Sequence, residues 1–258
     1  MTHLRQVVSV ILTILALSYF AHFVVRTLTR PDTAALLTLP ALAAIVLASF
    51  ATVASVFSTG WAWHHLLGED ALPTRQLAAI IGRTQIAKYL PGNVGHHLTR
   101  SALAVEHGIP LRTVLRTMTL EAVLSAGTAV GLAVVASPLL RPSWRRAVLA
   151  YAVNFILLGS ALAAMTFTLA DPPLTTLPLA IGAFALSWVG GYLVPGAPAG
   201  LGVREGILVA LLSPSVDRAL PIVLGFRLAT TLGDLLSFGL GSGAALHGRD
   251  RSVRKEGG

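Results

Sequence analysis

Two stretches of the chain place helix breakers and charged side chains between apolar segments. They cover residues 88–100 (KYLPGNVGHHLTR) and 192–205 (YLVPGAPAGLGVRE). Inside a bilayer every backbone N–H and C=O must be satisfied by the protein itself, so such breaks are tolerated only where the chain is buried or lines a cavity. Cations and free backbone N–H groups at the start of a half-helix can hold a phosphate. The two stretches therefore predict a polar site for an anion.

The first stretch contains five candidate binding residues. Lys88 and Arg100 flank the break and are expected to contact a phosphate, with Tyr89, Asn93 and His96 beside them. The alternative is that the long basic side chains only reach for the membrane interface. His96 and the histidine that follows it do not share a helix face, and no third ligand lies at a usual spacing. We predict no metal site and no cofactor.

The second set of candidates lies in and after the second stretch. Arg204 and Glu205 are interpreted as a gate-like pair or as a pair at a helix end. Arg227, Thr231 and Asp234 are spaced to share one face of a later helix. Charges within a membrane are costly and usually face the bundle interior or a water-filled cavity. Two readings stay open for Arg227 and Asp234: a structural ion pair, or a site for an anionic headgroup.

Glu121 is the remaining candidate, on the helix that follows the first stretch. It forms a polar stripe with Ser125 and Thr128. It could face the same site, or it could be a structural partner of Arg100 or Lys88.

Prolines and glycines of the two stretches are expected to supply backbone freedom. These hinge candidates are Pro91, Gly92, Gly95, Pro195, Gly196, Gly200 and Gly202. Matching residues of the two stretches, such as Tyr89 and Tyr192 or Arg100 and Arg204, lie 103 to 105 residues apart. This spacing indicates an internal repeat.

The composition is that of a membrane protein. Of the 258 residues, 54% are hydrophobic and 12% are charged, and the mean hydropathy is +0.74. These values fall outside ordinary soluble usage. The net charge of +8 comes from basic residues spread along short connections, which favours an anionic lipid over a nucleic acid as partner. The absence of cysteine excludes disulfides and thiolate chemistry.

Six apolar segments are long enough to cross about 30 Å of hydrocarbon. They are residues 7–25, 36–63, 112–140, 147–170, 174–193 and 219–246. Segments 77–106 and 192–212 are broken and contain arms too short to cross, so each is expected to form a re-entrant hairpin.

The predicted fold is an all-α polytopic membrane protein with about six transmembrane helices and two re-entrant helical hairpins. It forms one integral membrane domain over residues 1–258, with pseudo-repeats at about 1–140 and 141–248 and a polar tail at 249–258. Three crossings in each half place the second half upside down, as an inverted repeat. The Lys and Arg count favours a cell membrane orientation with both termini cytoplasmic, although Arg141, Arg145 and Arg146 count against it.

The motifs resemble those of the lysylphosphatidylglycerol synthase transmembrane domain, or flippase-like, family. The resemblance rests on AKYLPGNVGH at 87–96, on PAGLGVREG at 198–206 and on Arg227, and it extends over about residues 36–246. The family often shows Glu-Arg with a nearby Asp after the first hairpin, where this chain has Glu121 followed by Ala-Val-Leu.

The resemblance implies movement of an anionic, aminoacylated or polyprenyl-phosphate-linked lipid between leaflets. It does not imply lipid synthesis, which belongs to a separate soluble domain in that family. The alternatives are a non-catalytic membrane subunit that anchors or feeds a lipid-modifying enzyme, and a transporter of small soluble anions. The sequence contains no recognised catalytic motif, although Glu121, Asp234 or His96 could act as a single acid or base.

Overall fold

The structure is a computed structural model, and it describes residues 29–68, 71–89, 95–131, 137–194 and 198–256, with positions 18, 22, 25–27 and 134. The predicted first span at 7–25 lies almost entirely outside these residues. Some hinge and binding candidates also fall outside them: Pro91, Gly92, Asn93, Pro195 and Gly196. The described secondary structure is entirely helical, so the expected all-α class is confirmed there.

Eight α-helices form the described part of the chain. They are α1 (Leu39–Leu67), α2 (Thr74–Thr84), α3 (Gly95–Glu106), α4 (Leu111–Ala129), α5 (Pro142–Ala170), α6 (Thr176–Leu193), α7 (Val203–Leu212) and α8 (Ala219–Glu256). Short 3₁₀ segments at Gln85–Tyr89 and Pro198–Gly200 lie next to the two breaks.

Four of these helices are long and apolar enough to cross a membrane. They are α1, α5, α6 and the Ala219–Ala245 part of α8. The apolar window of α8 is 61% buried, against 39–44% for the other three, so α8 lies at the centre of the bundle. Large apolar side chains such as Leu47 and Phe50 are exposed on α1, as expected for a surface in contact with lipid.

The contacts between helices define their directions. Ser58 in the second half of α1 donates a hydrogen bond to the carbonyl of Ala150 in the first half of α5. Leu36, just before α1, and Met165, late in α5, both lie against Gly225, so these two long helices are antiparallel. Ser49 of α1 donates to the carbonyl of Ala229 in α8, and Thr52 lies against Gly233, so α8 runs parallel to α1. We call the end of the bundle where α1 finishes the upper end, and the other the lower end.

The helices on either side of each broken stretch pack together as a helical hairpin, and the two hairpins start at opposite ends of the bundle. Helix α2 starts at the upper end, where Ala78 packs on Gly60 of α1, and α3 returns towards that end. Helix α6 starts at the lower end, where Ile181 packs on Gly159 of α5, and α7 packs back along α6. The segments Gln85–Tyr89 and Pro198–Gly200 contact each other between the two hairpins.

The backbone at the second break adopts conformations that favour glycine. Gly200 and Gly202 have φ of 70° and 79°, and Ala199 between the helices has φ of 51°. These values lie in the left-handed region, where a side chain is strained. Gly200 and Gly202 therefore have backbone conformations that suit the predicted hinge role, whereas Gly95 begins α3.

The predicted crossing at 112–140 is not confirmed. Helix α4 begins at the upper end, because its Thr117 accepts a hydrogen bond from Trp63 in α1 at 3.0 Å. Helix α5 begins at that same end. Helix α4 stops at Ala129 before Gly131, whose φ is 80°, and it is not among the helices long and apolar enough to cross. Arginines in its first turns give it too polar a sequence.

Candidate functional site

A cavity of about 230 Å³ lies between the two hairpins. Helices α1, α4, α5, α6 and α8 complete its walls. Eight of the predicted binding residues line it: Lys88, His96, Arg100, Glu121, Arg204, Glu205, Arg227 and Asp234. Segments separated by more than a hundred residues are thus brought to one polar site.

Lys88 and Tyr89 of the first hairpin both bind Asp234 of α8. The Lys88 Nζ lies 2.7 Å from Asp234 Oδ2, and the Tyr89 hydroxyl donates to the same oxygen at 2.6 Å. The Asp234 side chain is 2% exposed. Because a buried carboxylate needs compensating donors, this cluster fixes the tip of the first hairpin to the central helix.

Arg100 of α3 is paired with Glu121 of α4. Its two terminal nitrogens donate to the two carboxylate oxygens at 2.8 and 2.6 Å. The guanidinium also lies 3.8 Å from the ring centroid of Trp63. The structure thus brings Glu121 to Arg100, one of the two partners expected from the sequence.

Arg227 of α8 is paired with Glu205 of α7, an arrangement that was not among the alternatives left open by the sequence. The Arg227 Nε lies 3.2 Å from Glu205 Oε1, and Arg227 also donates to the carbonyl of Ala199 at 3.3 Å. Glu205 Oε2 accepts the backbone N–H of Gly202 at 2.6 Å, which caps α7. The Glu205 carboxylate thus binds both the N-terminus of α7 and Arg227 of α8.

Arg204 carries a positive charge that no carboxylate in the described part of the chain balances. Four cations line the cavity, but the three acids are already paired with Lys88, Arg100 and Arg227. The Nε of Arg204 is buried and makes no hydrogen bond within the described residues. A buried donor of this kind is costly without a partner, so Arg204 is suited to hold an anion.

Two glycines hold the Arg204 side chain against the wall of the cavity. A Cβ added at Gly191 of α6 would lie 2.5 Å from Arg204 Cγ, and one at Gly200 would lie 2.7 Å from its Nε. A side chain at either position would therefore displace the Arg204 side chain. The second break therefore serves both to turn the chain and to seat this guanidinium.

His96 at the start of α3 is a further cavity group. Its Nδ1 is buried and has no hydrogen-bond partner among the described residues. Its ring centroid lies 3.8 Å from that of His97. A ring nitrogen of His96 can donate to or accept from a ligand, depending on its tautomer.

The sequence analysis missed residues of α5 and α6 that line the cavity. Tyr151 and Asn154 project from α5, and Trp188 and Tyr192 from α6 stack with ring centroids 5.4 Å apart. Tyr151 and Asn154 are polar residues spaced three apart in an otherwise apolar predicted span. That spacing on one helix face was the available signal.

The described residues contain no group of three or more His, Cys, Asp or Glu side chains arranged to hold a metal ion. Comparison of the chain with protein-family models, with curated proteins and with solved structures found no match.

Proposed function

We propose that the protein is a membrane translocator, or flippase, for a lipid with a phosphate-bearing headgroup, and that it is not an enzyme. The observation that carries the proposal is the guanidinium of Arg204, which is paired with no carboxylate among the described residues and lies in a cavity between the two helical hairpins. A phosphate there would balance the excess positive charge and accept hydrogen bonds from Arg204. The lipid tail would stay in the bilayer. This is also the function implied by the family resemblance.

In this proposal the hairpins are re-entrant and form an inverted repeat in a cell membrane. Their entry from opposite ends of the bundle supports this arrangement, as does the antiparallel packing of α1 and α5. Helix α6 has the length of a span, but its last turn lines the cavity and α7 returns along it. We therefore assign α6 and α7 to the second hairpin. With a first crossing at 7–25, four crossings replace the six expected.

The distribution of charge gives the proposed orientation. The upper end carries exposed arginines at the starts of α2, α4 and α5: Arg75, Arg112, Arg116, Arg141, Arg145 and Arg146. The described lower end has exposed charges of both signs, including Asp171, Asp217 and Arg218. Because cytoplasmic ends are enriched in Lys and Arg, we place the upper end in the cytoplasm. The three arginines at 141–146 then support the orientation that they opposed in the six-span topology.

The test is leaflet exchange in vesicles containing the purified full-length protein. We expect the wild type to accelerate exchange of acyl-labelled phosphatidylglycerol. Arg204→Gln should slow it by at least about tenfold, since a hydrogen bond to a charged group contributes on the order of 1.5–3 kcal/mol. Arg145→Gln makes the same chemical change at an exposed arginine and should retain the wild-type rate.

Two other results would each contradict the proposal. Uptake of inorganic phosphate into sealed vesicles without lipid exchange would identify a transporter of soluble anions. Co-purification of a lipid-modifying enzyme, with no lipid exchange by the protein, would favour a non-catalytic membrane subunit.

A further inference from the structure

Helix α5 presents two buried polar groups to the cavity that have no partner within the described residues. Tyr151 is 3% exposed, and its hydroxyl makes no hydrogen bond there. Asn154 has one end of its amide 3.4 Å from Thr59 Oγ1, and the other end is unpartnered. Both residues line the cavity. Their spacing of three places them on one face of α5.

These two groups are suited to a ligand hydroxyl. A buried polar group left without a partner costs about 1–3 kcal/mol. A hydroxyl can both donate and accept, so it can accept from the phenol of Tyr151 and also bond to the free end of the Asn154 amide, whichever amide atom lies there. Two unpaired groups on one helix face therefore form a neutral polar subsite.

The charges of the cavity argue against an amine at this subsite. An ammonium ion is stabilised most strongly by an uncompensated carboxylate, but Glu121, Glu205 and Asp234 are each paired with a protein cation. Arg204 leaves the cavity with an excess positive charge, which repels a second cation. Stacking covers one face of each ring of Trp188 and Tyr192, which leaves these rings less able to enclose an ammonium.

We propose that Tyr151 and Asn154 bind a hydroxyl group of the lipid headgroup, so that the ligand is a phosphate lipid with a polyol headgroup, such as glycerol or a sugar. The inference rests on the proposed function, because it takes the phosphate to be held at Arg204. It predicts that the protein distinguishes polyol lipids from aminoacylated and other amine-bearing lipids. The charged residues of the cavity, taken alone, do not predict this distinction.

The test compares two short-chain lipids of equal charge. Dihexanoyl phosphatidylglycerol carries hydroxyls on its headgroup, and dihexanoyl phosphatidylmethanol lacks them. Their dissociation constants are measured on the detergent-purified full chain by tryptophan fluorescence. We expect the wild type to prefer phosphatidylglycerol by about tenfold or more, since sites built to bind a hydroxyl reject analogues without one.

Three variants complete the design. Tyr151→Phe should reduce the preference to less than about threefold and leave the affinity for phosphatidylmethanol unchanged. Asn154→Leu should act in the same direction. Thr168→Val removes an exposed hydroxyl on the same helix and should keep the wild-type preference.

The outcomes separate the two proposals. Equal wild-type affinities for the two lipids, both weakened by Arg204→Gln, would overturn the hydroxyl subsite and leave the phosphate site standing. Tighter binding of dihexanoyl phosphatidylethanolamine than of phosphatidylglycerol would also overturn the subsite. Affinities that Arg204→Gln does not change would contradict the proposed function itself.

Discussion

Arg227 of α8 is held by Glu205 of α7, with 3.2 Å between Arg227 Nε and Glu205 Oε1. Arg100 of α3 and Glu121 of α4 form the corresponding pair at the first hairpin. Here the cation lies on the hairpin arm and the carboxylate lies on the helix that follows. In both cases the second arm of a hairpin is fixed to the helix that follows it. Because Lys88 binds Asp234, these two pairs leave no described carboxylate for Arg204, which lies on the same arm as Glu205 and lines the cavity.

A double-mutant cycle on Glu205 and Arg227 should show energetic coupling. Arg227→Gln leaves Glu205 partly buried without its partner, so we expect a loss of stability on the order of 3 kcal/mol. Glu205→Gln keeps a side chain able to cap α7. The double variant should recover much of the loss, measured as unfolding free energy in detergent. A second double-mutant cycle, with Arg227→Gln and Asp234→Asn, provides the comparison. A larger coupling energy between Arg227 and Asp234 than between Arg227 and Glu205 would contradict the observed pairing.

The Lys88–Asp234 pair should behave as a buried structural link. We expect Lys88→Gln to cost about 3–5 kcal/mol, because Asp234 is then left without its cation. Combining Lys88→Gln with Asp234→Asn should restore much of this stability. Tyr89→Phe removes one hydrogen bond to a charged group and should cost about 1.5–3 kcal/mol. If Lys88→Gln had the unfolding free energy of the wild type and the double variant were less stable, Lys88 would not be the group that compensates the charge of Asp234.

Gly233 permits the close packing of α8 on α1. A Cβ at this position would lie 2.6 Å from the carbonyl oxygen of Ser49 and would also overlap Thr52. Gly233→Ala should therefore destabilise the protein by about 1–3 kcal/mol and displace the neighbouring Asp234 from its partners. Gly239→Ala on the same helix meets nothing within 4 Å and should be neutral or slightly stabilising. Equal melting temperatures for the two variants would refute the predicted packing.

Single cysteines can test the four-crossing topology, because the chain has no native cysteine. Asp171→Cys and Asp217→Cys lie at the lower end and should react with an impermeant reagent from one side of a sealed vesicle. Glu106→Cys and Arg145→Cys lie at the upper end and should react from the other side. In a six-span topology, residues 171 and 217 would be on opposite faces. Labelling of this pair from opposite sides would overturn our assignment of α6 and α7 to one hairpin.

Sequence patterns located the helices and named Arg100 as a possible partner of Glu121, but they did not locate the other partners within the site. Apolar segments of sufficient length predicted α1, α5, α6 and α8, because hydropathy and length are local properties. The spacing of Arg227 and Asp234 on one helix face indicated a pair. The pairing was instead decided by α7, which places Glu205 against α8, and by the first hairpin, which brings Lys88 to Asp234. Such contacts depend on how separate helices pack.

The end of α4 was also beyond the sequence analysis. Residues 112–140 contain enough apolar side chains for a span, but α4 ends at Ala129, and α4 and α5 begin at the same end of the bundle because of how each packs on α1. The role of Tyr151 was missed for a related reason. A tyrosine in an apolar span is usually part of the packing, and only the assembled cavity shows that its hydroxyl has no partner in the described protein.

The most direct measurement of the central claim is native mass spectrometry of lipids that remain bound through purification. We predict that the wild type and Arg145→Gln retain a phosphate-bearing lipid in equal amounts, and that Arg204→Gln loses it while remaining folded. Folding should survive because this substitution removes a charge that no described carboxylate balances. Equal retention of the lipid by Arg204→Gln and the wild type would contradict the claim that Arg204 holds the headgroup.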